Sequence, residues 1–212
     1  MQDGHLKNRY TSTVRRMNQL FEKVNPIFSK FQFEKNVEFE MRLGKVNRGT
    51  FDTNVGQVTF EKILEGLKKY KGWENTKKIN DVAYYHDNIR LVINDDTEES
   101  IQVVKDKLSK IDHVLTGQPL DVRFAVAKET PLENNGDIEY STARQRNRES
   151  FIRKNLSIDM TIVAGNPADL DSEEENMYQV EFEIIDPKLV KDRDTLYNII
   201  YKVHDVLKLV LS

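Results

Sequence analysis

Apolar and charged residues alternate strictly from Val37 to Leu43, in the run Val-Glu-Phe-Glu-Met-Arg-Leu, and Gly44 ends it. A period of two is that of a β-strand. It puts Glu38, Glu40 and Arg42 on one face, about 6.5–7 Å apart in succession, and Phe39, Met41 and Leu43 on the other. The period returns near the far end of the chain, where Glu181 and Glu183 alternate with Val180, Phe182 and Ile184. Leu156–Val163 also alternates, with Ser157, Asp159, Thr161 and Val163 sharing a face. Asp121–Glu129 reads as a strand with Asp121, Arg123 and Glu129 on one face, ended by Pro131. If Ala143–Phe151 is a strand, Arg144, Arg146 and Arg148 point the same way, although Gln145 and Asn147 are poor strand formers. Val82–His86 and Ile89–Ile93 flank Asp87-Asn88, a good two-residue hairpin turn.

Helical spacing predicts three covering helices. Val14, Met17, Leu20, Phe21, Val24, Ile27, Phe28 and Phe31 mark the first, over residues 11–31, with Pro26 expected to kink or restart it. Phe60, Ile63, Leu64 and Leu67 mark a second over 59–70, capped by Thr59 and followed by Trp73 as a packing anchor. Leu196, Ile199, Ile200, Val203, Val206, Leu207 and Val210 mark the third, over about 192–211. Residues 98–116 fit two readings. Ile101, Val104, Leu108, Ile111 and Leu115 suit a helix, which length favours, while Ile101–Val103 and Ile111–Leu115 also suit strands. Residues 45–58 read as loop or short strand, Glu133–Asp137 as a loop, and Ala164–Met177, with Glu173–Glu175, as an acidic surface loop.

Composition narrows the class rather than the function. The chain has 212 residues, enough for a sizeable core, and is read as a single domain over 1–212 with a barrel at about 37–185. A net charge of −3, from 32 basic and 35 acidic residues, announces no polyanion or membrane partner, so any polyanion site must come from local clustering of Arg and Lys. The absence of cysteine excludes a disulfide framework and a thiolate metal site, and the four histidines are too scattered to suggest zinc. No apolar run reaches the ~18 residues of a membrane helix, and the first residues lack a signal-peptide core. The expectation is an intracellular, cytoplasmic protein, in a viral factory or virion if viral, neither secreted nor in a membrane.

A single Glu-x-Glu strand is most often half exposed, its polar face in water. Two of them 140 residues apart, together with an Arg-x-Arg-x-Arg strand, suggest more. Clustered carboxylates repel and need a cation. Charge on one face of several strands and apolar residues on the other fit a barrel turned inside out. Its interior is charged and its apolar outside lies under helices, unlike the usual apolar interior. Acidic and arginine walls facing each other make a site for a divalent metal with polyphosphate, carboxylate oxygens suiting Mg²⁺ or Mn²⁺. The chemistry that follows is metal-assisted hydrolysis of a phosphoanhydride.

These residues resemble a known family. Glu38-x-Glu40-x-Arg42-x-Gly44 resembles the first metal-binding strand of the triphosphate tunnel metalloenzymes, and Glu181-x-Glu183 their second. Arg144-x-Arg146-x-Arg148, followed by Ser150-Phe151, is similar to their basic strand, with Arg146 where Lys is usual. Asp159-Met160-Thr161 is similar to their Asp-Leu-Thr strand, and Asp121-x-Arg123 through Glu129-Thr130-Pro131 to their middle strand. Arg42, where the adenylate cyclase and thiamine triphosphatase branch has Lys, points to the RNA triphosphatase branch of fungi, protozoa and large DNA viruses. The resemblance extends to giant-virus (mimivirus-type) mRNA-capping enzymes. It implies a closed eight-stranded antiparallel barrel, mainly β, that removes the γ-phosphate from the 5′-triphosphate end of nascent RNA as the first step of capping. By the same resemblance Glu38, Glu40 and Glu183 hold the metal, and Glu181 orients or deprotonates water. Arg42, Arg123, Arg144, Arg146 and Arg148 neutralise phosphate, with Arg146 and Arg148 acting in catalysis. Glu129, Asp159 and Thr161 support them, and either Lys107 or Lys110 adds a further basic group. It also favours strands for 98–116.

The guanylyltransferase motif Lys-x-Asp-Gly does not occur, so guanylyl transfer is expected from a domain or subunit outside this sequence. Two rival functions remain: a tunnel-type hydrolase of free nucleoside triphosphates or polyphosphate, and a non-catalytic RNA-binding β domain. The second expects exposed aromatics among basic residues on one sheet face. The aromatic residues here alternate away from the arginines.

Overall fold

The computed structural model describes residues 2–133, 138–165 and 175–211, with side chains from residue 15 onward. The sequence-predicted loops at 133–137 and 164–177 fall largely on residues outside the described ones. In chain order the elements are α1 (Gln2–Phe31), β1 (Val37–Asn47), β2 (Thr50–Asp52), α2 (Gln57–Lys69), β3 (Asn75–His86), β4 (Ile89–Asn94), β5 (Ser100–His113), β6 (Asp121–Pro131), β7 (Thr142–Arg153), β8 (Leu156–Val163), β9 (Met177–Ile184) and α3 (Arg193–Leu211). A 3₁₀ turn at Pro187–Leu189 precedes α3, and the Asp186 side chain accepts a hydrogen bond from the Lys188 N–H there.

Eight strands close into an antiparallel barrel in the order β1-β6-β5-β4-β3-β7-β8-β9, with β9 pairing back onto β1 and β2 as an extra strand beside β1. The strict alternation of the two Glu-x-Glu strands, which pair to close the barrel, decides which side faces the core. Their apolar residues lie on one side, where Phe39, Met41, Leu43, Val180, Phe182 and Ile184 are all buried. That side is the outside of the barrel. It packs against Met17, Leu20, Val24 and Phe28 of α1, Phe60, Ile63 and Leu67 of α2, and Leu196, Ile200, Val203 and Leu207 of α3. The core is therefore a layer between barrel and helices, and the interior is left to polar side chains. Trp73 anchors this layer as expected, its ring 5.5 Å from Phe151 and its indole N–H donating to Leu67 O at 2.8 Å.

Four expectations are corrected. The helix reading of 98–116 fails, because β5 runs through Ser100–His113 as one strand paired with β4 and β6. Its apolar spacing looked helical because a bulge between Lys107 and Ser109 breaks the period of two. α1 starts earlier than residue 11 and continues through Pro26 without restarting. α2 starts at Gln57 behind Gly56 (φ 78°), with no side-chain cap, so Thr59 lies inside the helix. Within 45–58, read as loop or short strand, Thr50–Asp52 is the short strand β2, whereas residues 45–47 extend β1 and Gly44 lies within that strand instead of ending it. There Gly44 has a physical reason: a Cβ would sit 2.1 Å from Asp52 O and 2.6 Å from the Phe51 ring, so β2 packs against a position that only hydrogen can fill. The hairpin at 82–93 is as expected, with Asp87 in the left-handed region (φ 51°).

Candidate active site

The barrel interior holds a cavity of about 300 Å³ whose lining includes Glu38, Glu40, Arg42, Arg90, Lys105, Arg144, Arg146, Arg148, Asp159, Thr161, Glu181 and Glu183. Strand register explains the gathering. Glu40 on β1 lies directly opposite Glu183 on β9, and Arg42 opposite Glu181. Opposed residues on neighbouring antiparallel strands have Cβ atoms about 4.5–5.5 Å apart. On β8, Asp159 lies opposite Glu181, and Thr161 lies opposite Arg148 of β7. The two acidic strands are thus adjacent, and the arginine strand lies two strands away across β8.

Ion pairs organise the walls. Arg42 reaches Glu40 through Nη2 at 3.0 Å and Glu181 through Nε at 3.0 Å. Arg148 donates to Thr161 Oγ1 at 3.3 Å and has its Nη1 3.7 Å from Asp159, whose other oxygen accepts from Ser157 Oγ at 2.6 Å. Arg146 Nε contacts Asp81 of β3 at 2.5 Å. Lys105 of β5 sits 2.6 Å from Glu38 and 3.0 Å from Glu129, which also accepts from Arg90 of β4 at 2.7 Å.

The titration tendencies follow from this crowding. Burial pushes the Glu183 carboxyl up to about 7, aided by repulsion from Glu38 and Asp159. Burial likewise raises Glu38, partly offset by Lys105. Burial alone would lower Arg42 and Arg148, but the facing carboxylates, Glu181 foremost, hold both above the ordinary guanidinium value. Burial would raise Glu129, but Arg90 and Lys105 bring it below its ordinary value.

Eleven of the twelve residues singled out from the sequence are in the cavity or pair with its lining: the metal candidates Glu38, Glu40 and Glu183, with Glu181, Arg42, Arg144, Arg146, Arg148, Asp159 and Thr161 in the wall, and Glu129 behind Lys105. Arg123 is the exception. Its guanidinium is held by Asp112 at 2.6 and 2.9 Å and stacks 4.7 Å from the Phe51 ring, outside the cavity lining. Sequence reasoning missed Lys105, Arg90 and Asp81. Lys107 and Lys110, the two lysines offered for the tunnel, are exposed and absent from its lining, and Lys105 fills that place. Arg90 could have been found from the hairpin, since alternation from its turn puts it on the face of Tyr85.

The donor set fits a hard divalent cation in kind. Glu38, Glu40 and Glu183 offer carboxylate oxygens from adjacent strands, and Glu183 is raised first by burial and then by repulsion from Glu38 and Asp159, both of which a bound cation would relieve. Among the described residues no three carboxylates converge on one point as they stand, because Glu38 turns to Lys105 and Glu40 to Arg42.

The family model for "mRNA capping enzyme, beta chain" matches residues 44–201. The chain belongs to that family of mRNA triphosphatases. Its activity is RNA 5′-triphosphatase in mRNA capping, hydrolysis of a phosphoanhydride bond, and the family is metal-dependent. A search of curated proteins finds no match. Among solved structures the fold is similar to the S. pombe Pct1 RNA triphosphatase, with a TM-score of 0.75 and 14% identity over 90% of this chain and 91% of that one. It is also similar to the RNA triphosphatase domain of a mimivirus mRNA capping enzyme, with a TM-score of 0.59 and 17% identity over 91% and 97% of the two chains. At these identities the likeness is one of fold.

Proposed function

We propose that the tunnel holds the 5′-triphosphate of RNA between the arginine strand β7 and the carboxylates of β1 and β9. The observation that carries this reading is the register that sets Glu40 opposite Glu183 within one cavity shared with Arg144, Arg146 and Arg148. Glu38, Glu40 and Glu183 would hold the cation, Mg²⁺ or Mn²⁺. When bound, the cation offsets phosphate charge and polarises the γ-phosphoryl group. Arg42 and Lys105, now paired with carboxylates, become free to meet phosphate oxygens. Glu181, beside the acidic wall, orients a water and accepts its proton as the oxygen attacks the γ-phosphorus. The bond from that phosphorus to its bridging oxygen breaks, leaving a 5′-diphosphate RNA end and inorganic phosphate. Arg146 and Arg148 stabilise the charge that develops on the transferred and leaving groups. Asp81, Asp159 and Thr161 fix those arginines. Arg90 supplements them through Glu129. Arg123 is left out of the phosphate set, because it lies outside the cavity lining with Asp112.

Free nucleoside triphosphates carry the same triphosphate and are secondary substrates in this reading. The 5′-diphosphate product calls for guanylyl transfer by a domain or subunit outside this sequence. The S. pombe Pct1 RNA triphosphatase forms a complex with the Spt5 CTD, and a segment of that kind is the protein partner class for this chain. No described helix is long and apolar enough to cross a membrane. Residues 1–212 act as one tunnel domain at an intracellular site of RNA synthesis. The test is phosphate release from γ-labelled triphosphate-ended RNA with Mg²⁺, Mn²⁺ or chelator. Release with a cation and none with chelator supports the reading, and release unaffected by chelator overturns the metal assignment.

A further inference from the structure

Strand β5 carries three lysines, and the tunnel accounts for only Lys105. Lys107 lies opposite Ala127 and Lys110 opposite Ala125 on β6, and those alanines lie opposite Glu38 and Glu40 on β1. Opposed residues share a face, so both lysines stand on the tunnel face. Strict alternation from Lys105 would bring Ser109 and Ile111 to that face and turn Lys110 away. The bulge between Lys107 and Ser109 reverses this and keeps cations in line beyond the cavity. β4 pairs with β5 over Ser100–Val104, so past Lys105 no strand pairs with that side of β5 among the described residues. Both lysines are exposed. The two alanines between them and the glutamates leave a shallow floor. Asp112, next on the face, is engaged by Arg123 at 2.6 Å and lies within electrostatic reach of Lys110, and Lys107 forms no ion pair among the described residues.

We propose that Lys107 and Lys110 line a single-stranded RNA track leading out of the tunnel, which takes the phosphodiester groups behind the triphosphate. The inference rests on the RNA triphosphatase reading and adds what separates an RNA end from a free nucleotide. Lysine ammonium groups contact phosphates as point charges without reading bases, as a capping substrate of any sequence requires. On a chain of net charge −3, such attraction must be local.

The test compares wild type, Lys107→Gln/Lys110→Gln and a control, Lys62→Gln/Lys71→Gln, which removes the same charge from exposed positions elsewhere. Phosphate release is measured with triphosphate-ended RNA and with ATP, from about 50 to 200 mM salt. The track predicts that the Lys107/Lys110 variant loses on the order of 10-fold in kcat/KM for RNA near 0.1 M salt. Its salt slope becomes shallower by about 1.4, as two lost single-strand phosphate contacts require. Its ATP hydrolysis stays at the wild-type level. Equal losses for RNA and ATP, equal losses in the control variant, or unchanged RNA kinetics would each overturn the proposal. Wild type inactive on both substrates with a cation present would instead remove the triphosphatase reading beneath it.

Discussion

Glu183 shows how single side chains set the state of this site. Its carboxyl is pushed up to about 7 by burial and by Glu38 and Asp159, against an ordinary value of 4.5. Between those values the folded chain holds this proton more tightly than the unfolded chain. Stability from this group is therefore present at low pH and lost as pH rises through about 7. Gln at 183 cannot ionise. Glu183→Gln should leave the metal-free protein nearly unchanged at about pH 4, below the ordinary value, and stabilise it at pH 8 by about 3 kcal/mol, or roughly 6–12 °C in Tm. Adding divalent cation at pH 8 should reverse the order, because only wild type gains the ligand's stabilisation. Thermal melts at the two pH values, with and without cation, check both parts. Equal Tm at pH 8 without cation would show that Glu183 is not in a crowded acidic site. Much of this residue-scale chemistry was legible. Period-two alternation alone put Glu38 with Glu40 and Arg42, and Arg144 with Arg146 and Arg148, because a strand fixes which side chains share a face. Arg123 shares the predicted face but lies outside the cavity lining, because alternation cannot see Asp112 arriving from β5 to hold it.

At the scale of elements, irregularities carry the information that the pattern lacks. The β5 bulge hid a strand beneath apolar spacing that also suits a helix, and the lysine that lines the cavity is Lys105, ahead of the bulge, rather than Lys107 or Lys110. Register between strands distant in the chain, such as β1 with β9, cannot be read from either strand alone, yet it brings Glu40 and Glu183 together. Gly44 ties β1 to β2 through a contact with no room for a methyl group. Gly44→Ala should lower stability by about 1–3 kcal/mol through overpacking, with β2 displaced from Asp52 and Phe51. Denaturant unfolding measures it, and a variant as stable as wild type would show that β2 does not pack there. Phe51 also stacks on Arg123, so the displacement reaches the barrel wall.

The whole molecule is a barrel with its usual polarity inverted. Apolar side chains of the strands face out under α1, α2 and α3, and opposed charges fill the interior. Buried ion pairs of this kind are weak contributors to net stability, but removing one partner is costly. The interior is therefore best understood as built for a charged guest, and metal plus triphosphate is the guest that its acidic and arginine walls fit. The central claim is that the carboxylates of β1 and β9 serve one metal-dependent site. The most direct measurement is phosphate release from γ-labelled triphosphate-ended RNA by wild type, Glu40→Ala, Glu183→Ala and the double variant, each checked for native fold by circular dichroism. A shared site predicts that each single change removes at least about 10²–10³-fold of kcat, and that the double variant is hardly worse than either, since residues acting as a unit are not additive. Folded single variants that keep wild-type rates, or losses that multiply in the double variant, would contradict it.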